Sequence, residues 1–198
     1  MSLFLPTYFS PISQYAALVN TNKITFELED NYVKQTYRNR CYIFGANGKQ
    51  VLNIPVKFPS TSEKKKTKEA LVDNTSNWQL HHLKSLQSAY RNSPFFEFYI
   101  DDLLPIFQKK YKFLMDVNMD SFMAISTALE INTPFSKTKE YQTKPLEKDL
   151  RFLANTKSHS EKENEKYIQM FDEKYGFLPN LSILDLLFME GPNAINLL

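Results

Sequence analysis

Three cations, two tyrosines and several amides stand within one short stretch, Asn31-Tyr32-Val33-Lys34-Gln35-Thr36-Tyr37-Arg38-Asn39-Arg40-Cys41. Cations this close repel one another, and a chain that only had to fold would spread them out. An anionic ligand accounts for the crowding. Arg38 and Arg40 carry planar guanidinium forks that grip phosphate or carboxylate through paired hydrogen bonds, and Lys34 adds a compact point charge. The competing reading is an ordinary cationic surface hairpin balanced by Glu27, Glu29 and Asp30. His82 is the second group with usable chemistry, because an ordinary imidazole pKa of about 6.5 suits a general base. The plain alternative is a core histidine hydrogen-bonded within its helix layer.

Other reactive side chains read less well. His81 is expected to be the exposed neighbour, and His159 to sit in solvent. None of the three histidines stands at ligand spacing to a partner, which argues against zinc. Cys41 alternates away from the arginines and has no histidine near it in sequence, a poor setting for a nucleophile. Asp101-Asp102 reads as a helix cap. Lys64-Lys65-Lys66 reads as a solvated lysine run.

The elements that must position these groups follow from period and punctuation. Residues 3–5 form a short apolar strand ending at Pro6. Pro6 and Pro11 bracket a loop, and Ile12 to Val19 has helical spacing with Ser10 or Ser13 near its start. Lys23 to Leu28 alternates as a second strand. Strand, helix, strand at this spacing is a βαβ unit with a parallel pair, and ligands in such sheets bind beyond the carboxyl ends of the strands. Tyr8 and the cationic stretch are thereby expected at one crevice. Tyr37–Phe44 and Val51–Val56 alternate around Gly45-Ala46-Asn47-Gly48-Lys49 as a β-hairpin, which puts Arg38 and Arg40 on one face.

Further along, residues 69–73 are a short strand. Ser76 and Gln79 have capping-box spacing for a helix to Tyr90, whose inner face carries Trp78, His82, Ser85, Leu86 and Ala89. Asp101 or Asp102 opens a helix with Pro105 in its first turn and a stripe of Leu104, Phe107, Tyr111 and Leu114. Asn118 caps the next helix, and 131–135 is a last strand. Residues 136–165 turn polar, a lid or a mobile linker. Tyr167–Tyr175 resumes helical spacing. Ser182, Asp185, Leu181 and Leu186 mark a capped and stapled helix start that Gly191-Pro192 ends. The expected fold is α/β and three-layered: a mostly parallel sheet, an inserted hairpin and a helical C-terminal part. The expected division is a 1–135 core and a 136–198 connection with helical extension.

Composition narrows the function classes. The 198 residues carry a formal charge of only +2, too mild for a nucleic-acid partner. Four glycines leave no dinucleotide or Walker motif. A single cysteine excludes an internal disulfide and fits a reducing cytoplasm. The N-terminus lacks the pattern of a signal peptide, and no apolar run is long enough for a transmembrane helix.

Several stretches together resemble the WbqC-like family in its short, Bacteroidetes-type form. They are Leu5-Pro6-Thr7-Tyr8-Phe9-Ser10-Pro11 with Tyr15; the segment Asn31 to Arg40; Leu52-Asn53-Ile54-Pro55-Val56; Asn77-Trp78 through His82 to Tyr90 and Pro94-Phe95-Phe96; Asp149-Leu150-Arg151; and Tyr167-Ile168-Gln169 through Leu181–Phe188 to Gly191-Pro192. Longer members place a glutamine where Leu5 stands here. The resemblance implies surface-polysaccharide (O-antigen or capsule) biosynthesis, with transfer of glycine or another aminoacyl group to a nucleotide- or lipid-linked sugar. On that reading Lys34, Arg38 and Arg40 hold phosphate, and His82 and Lys34 are catalytic. Tyr8, Asn39, Trp78, Tyr90 and Arg151 complete the substrate-binding set.

Two rival functions stay open. One is a nucleotidyltransferase-like enzyme that binds a nucleoside triphosphate with magnesium; the strand, Pro-rich loop, helix, strand order is similar to nucleotidylyltransferase-like folds, although their histidine pair is absent. The other is a non-enzymatic binding or assembly protein. Outside the nucleotidyltransferase reading no cofactor is expected.

Overall fold

The computed structural model describes residues 1–59, 65–157 and 165–198. Lys64, His159 and part of the 136–165 connection lie outside the described residues. The chain opens with β1, Ser2–Phe4, and passes through the proline-bracketed loop into α1, Ile12–Val19, and then β2, Ile24–Phe26. β1 and β2 pair in parallel, with Phe4 opposite Phe26, so the expected βαβ unit is present. The hairpin follows as β3, Arg40–Gly45, and β4, Gly48–Asn53, joined by Ala46-Asn47 with Gly48 at a φ of 93°. A left-handed residue at that point costs glycine nothing and any β-carbon strain.

A two-residue antiparallel pair comes next, β5 at Val56–Lys57 and β6 at Leu71–Val72. Three helices then run in sequence: α2, Trp78–Tyr90, α3, Phe96–Gln108, and α4, Leu114–Ala128. The chain returns to the first sheet with β7, Phe135–Lys137, and β8, Lys148–Asp149, and finishes with α5, Asp172–Tyr175, and α6, Ile183–Glu190.

The main sheet has the order β7-β2-β1-β8, every pairing parallel. The chain winds outward from β1 through β2 to β7, then crosses back to lay β8 on the other side of β1. Winding direction therefore reverses between β1 and β8, and the carboxyl ends of those strands flank a topological switch point, where ligands of such sheets bind. The sheet also crosses the expected boundary at residue 135, since β7 begins on it and β8 lies beyond it. The β7–β8 connection, residues 138–147, contains no helix, so a helical layer of a three-layer sandwich does not come from there. On one sheet face, Phe26 packs edge-on against Phe122 of α4, at 4.9 Å, and against Phe135 at 6.0 Å. Among the described residues no helix is long and apolar enough to cross a membrane.

Several boundaries differ from expectation. α3 begins at Phe96, so the aromatic run 96–99 forms its first turn and Pro105 falls in its last. Its buried stripe is Phe96, Leu103, Ile106 and Phe107. Asn118 is not a cap but lies inside α4, fully buried. The Ser76–Gln79 capping box does not form. Asn77 holds the cap position in the left-handed region, φ 41°, and the Gln79 amide donates instead to the carbonyls of Ile106 and Lys109 at the end of α3. Of Tyr167–Tyr175 only Asp172–Tyr175 is helical. Ser182 does cap α6, its hydroxyl accepting from the Leu184 N–H, with Leu181 and Leu186 buried beside it.

Candidate functional site

The segment from Asn31 to Arg40 is pinned by its backbone on both sides. The Tyr32 N–H donates to the Lys65 carbonyl at 2.7 Å, and the Tyr37 N–H to the Ala154 carbonyl at 2.9 Å. The Tyr37 carbonyl accepts from the Tyr8 N–H at 2.9 Å. Asn118 of α4 adds the firmest tie: its amide nitrogen donates to the carbonyls of both Arg38 and Pro6, at 2.9 and 3.1 Å. A turn at Thr36–Asn39, closed by the Asn39 N–H on the Thr36 carbonyl, delays the start of β3 to Arg40.

That turn overturns the expectation that Arg38 and Arg40 share a face. Period-two alternation holds only inside a strand, and Arg38 precedes it. The segment instead acts as a wall between two cavities. Tyr32, Lys34, Asn39 and Arg40 line one of about 690 Å³, beside the hairpin. Asn31, Val33 and Arg38 line the other, of about 500 Å³, at the switch point.

The hairpin cavity is cationic. Lys34, Arg40, Lys57 and Lys65 line it, and among the described residues no acidic side chain does. Lys57 approaches Asp73 only to 3.8 Å on the exposed side. Arg40 forms no hydrogen bond or ion pair among the described residues, and its Nε is buried without a partner. A buried donor left unsatisfied costs about 1–3 kcal/mol, which an incoming anion would offset. Asn39 is fixed beside it by donating to the Asn53 side chain and the Ile54 carbonyl, while its own Oδ1 is buried without a partner.

The switch-point cavity is built from compensated charges. Arg38 is 7 % exposed and meets Asp30 through Nε and Nη2, both at 2.8 Å, while Nη1 donates to the Thr36 hydroxyl. Burial pushes the Asp30 carboxyl above its usual range, against the opposing pull of Arg38. Arg151 forks onto Asp149, with Nε to Oδ1 at 2.9 Å and Nη2 to Oδ2 at 2.6 Å, and also donates to the Gln142 carbonyl. Its guanidinium lies 5.0 Å from the Tyr141 ring centre. Asp149 is held below the usual carboxylate range, first by that hydrogen bond from Arg151.

Four of the expected site residues lie elsewhere. His82 is 4 % exposed and lines neither cavity. Its Nε2 stands 3.2 Å from the Asn53 carbonyl, so it carries the proton and donates. Nδ1 then accepts from the Tyr8 hydroxyl at 2.9 Å. Both ring nitrogens are occupied, and burial lowers the imidazole pKa to about 4. The imidazole is thus engaged on both sides within the core and opens onto neither cavity, the setting of a core histidine rather than of an accessible base. Tyr8 and Trp78 are buried in the same cluster, at 5.6 and 5.2 Å from the imidazole ring centre, rather than open to a crevice. Tyr90 is fully buried at the far end of α2, where its hydroxyl donates to Asp185 and accepts from the Phe44 N–H. Its role is to tie α2, the hairpin and α6 together.

Lys57, Lys65, Asp30, Tyr141 and Phe152 line the cavities without having been singled out as ligand-binding groups. Lys57 had a usable signal, following directly on the Leu52–Val56 stretch. Asp30 directly precedes the segment, eight residues before Arg38, and reads in the sequence only as a charge balancing it. Lys65, Tyr141 and Phe152 meet the segment across separations that no local pattern reports. Among the described residues no group of three or more His, Cys, Asp or Glu side chains could hold a metal ion.

The description of the WbqC-like protein family matches residues 6–161. The chain belongs to that family. The matched span covers β1's exit loop from Pro6, the whole wall segment and Arg151, so it holds every described lining residue of the hairpin cavity of this WbqC-like protein and all but Leu5 of the switch-point cavity. One relative is the protein described as "Uncharacterized protein Rv1507c" of Mycobacterium tuberculosis, 28% identical over 190 residues, covering 82% of this chain and 81% of the relative. No solved structure matches the chain.

Proposed function

We propose that this WbqC-like protein is a transferase of surface-polysaccharide synthesis that grips the phosphate of a nucleotide- or lipid-linked sugar in the hairpin cavity. The observation that carries the reading is the Arg40 guanidinium, whose buried Nε lacks a partner in a cavity that, among the described residues, is lined by three lysines and no acid. An anion entering there supplies the missing acceptor and relieves the repulsion among the four cations. Lys34, exposed on the cavity wall, adds charge toward a leaving phosphate. Transfer of glycine or another aminoacyl group is what the family resemblance implies for the reaction.

The test is calorimetric titration of the purified protein with a panel of nucleotide-sugars. Binding is expected to weaken with added salt. In Arg40→Ala, affinity should fall by at least about tenfold, or ~1.4 kcal/mol, with the thermal midpoint unchanged. If Arg40→Ala binds as tightly as the parent, the phosphate site is wrongly placed.

A further inference from the structure

We propose that the switch-point cavity is a second binding subsite, and that it takes a neutral, polyhydroxylated ring such as one sugar unit. It lies where a sheet of order β7-β2-β1-β8 places ligands, between the carboxyl ends of β1 and β8, with Leu5 from one and Arg151 from the other. Its volume of about 500 Å³ falls within the range of small-molecule sites.

The charges select the ligand class. Arg38 is cancelled by Asp30 at 2.8 Å and Arg151 by Asp149 at 2.6 Å, with Glu27, outside the cavity lining, 3.6 Å from Arg151 as well. An anion entering would face Asp30 and Asp149, and a cation would face both guanidiniums. An apolar ligand would strip water from two ion pairs and return nothing. A hydroxyl group is both donor and acceptor, so a polyol satisfies guanidinium N–H groups and carboxylate lone pairs together. Arg38 is itself buried and bonded through Nε, Nη1 and Nη2, which makes the polar floor a built one. The walls supply the rest: Tyr141, Phe152 and Val33 are each 50% exposed and border the same cavity. Together they offer apolar surface for the C–H face of a ring.

The hairpin cavity has the opposite character, cationic and without carboxylates among the described residues. One wall segment thus keeps an anion-selective cavity apart from a charge-neutral one, with Lys34 and Arg40 on the first side and Val33 and Arg38 on the second. The sugar assignment stands on the switch-point residues alone and does not rest on the phosphate reading.

Amide NMR of the full chain tests it with methyl glycosides of glucose, galactose and N-acetylglucosamine, raised to the tens of millimolar that a single small ring requires. At least one is expected to shift the amides of Asn31, Arg151 and Phe152. Phe152→Ala and Tyr141→Ala, both at half-exposed positions, should weaken that binding by about tenfold. Arg40→Ala should leave it unchanged, and inorganic phosphate should not displace the glycoside. Absence of switch-point shifts with every glycoside, full binding by Phe152→Ala, or displacement by phosphate would each overturn the proposal.

Discussion

Arg40 keeps a buried guanidinium nitrogen unpartnered, whereas Arg38, two positions earlier, commits Nε and Nη2 to Asp30 and Nη1 to Thr36. Substitution should therefore separate them. Arg38→Ala leaves Asp30 as an unpaired buried charge, and unfolding measurements should show a loss of about 3–5 kcal/mol. Arg40→Ala should cost binding and little stability. His82 belongs with Arg38 as a structural residue. With its pKa at about 4 in the folded protein against an ordinary 6.5, the unfolded chain takes up the proton first. The stability it contributes is complete above an ordinary imidazole pKa and is lost as pH falls toward 4, by roughly 3 kcal/mol. Its imidazole resonances should show no titration above about pH 5. In urea unfolding, the advantage of the parent over His82→Gln should shrink between about pH 7 and pH 5. Asp185 works in the other direction. Burial lifts its carboxyl to about 6, partly offset by hydrogen bonds from Tyr167, Tyr90 and Gln169. A raised carboxylate pKa means its contribution is present in acid and lost as pH rises through 6.

At the scale of elements, the wall segment is shaped mostly by its ties to other elements and by a single turn. Asn118 holds the Arg38 carbonyl and the Pro6 carbonyl with one amide group, so α4 sets how far the wall stands from the exit of β1. Asn118→Leu keeps the side-chain size and orphans both carbonyls. Chemical denaturation should register a loss of about 1–3 kcal/mol for each carbonyl left buried and unpaired. Nucleotide-sugar affinity should fall with it, although Asn118 lines neither cavity. A variant that lost stability and kept full affinity would mean that the wall is positioned by its own turn alone. The Thr36–Asn39 turn is the other determinant, because it ends the alternation that would have aligned the two arginines.

Across the whole molecule, the sheet joins segments far apart along the chain. β1 is flanked by β2 on one side and by β8, nearly 150 residues along, on the other. Glu27, fully buried at the end of β2, accepts from the Thr138 hydroxyl and the Gln142 N–H, which fastens the crossover onto the sheet. Asp185 of α6 accepts from Tyr90 of α2 and from Tyr167, so the C-terminal part is bonded into the core as well. A fragment ending at residue 135 therefore lacks a sheet neighbour for β1, the partner of Tyr90 and half of the switch-point cavity. It should show no cooperative unfolding transition by circular dichroism. A cooperatively folding 1–135 fragment would establish the C-terminal part as an appendage.

The sequence by itself determined the local units. Alternation and proline punctuation placed the βαβ start, a hairpin turn within Gly45–Lys49 and the capped start of α6, because each depends on neighbours a few residues apart. Cation crowding singled out the segment that borders both cavities for the same reason, since repulsion between Lys34, Arg38 and Arg40 is a local fact. Tertiary structure decided what each cation meets. Asp30 folds back on Arg38, Lys57 and Lys65 gather round Arg40, and Tyr8 seals the imidazole that had looked available as a base. It also decided that Lys148-Asp149, two polar residues in a polar stretch, form a strand beside β1. No periodicity marks that strand, because its pairing is supplied by Ser2 and Leu3 from the opposite end of the chain. Long-range pairing and charge compensation thus turned one cationic stretch into a wall with two different sides.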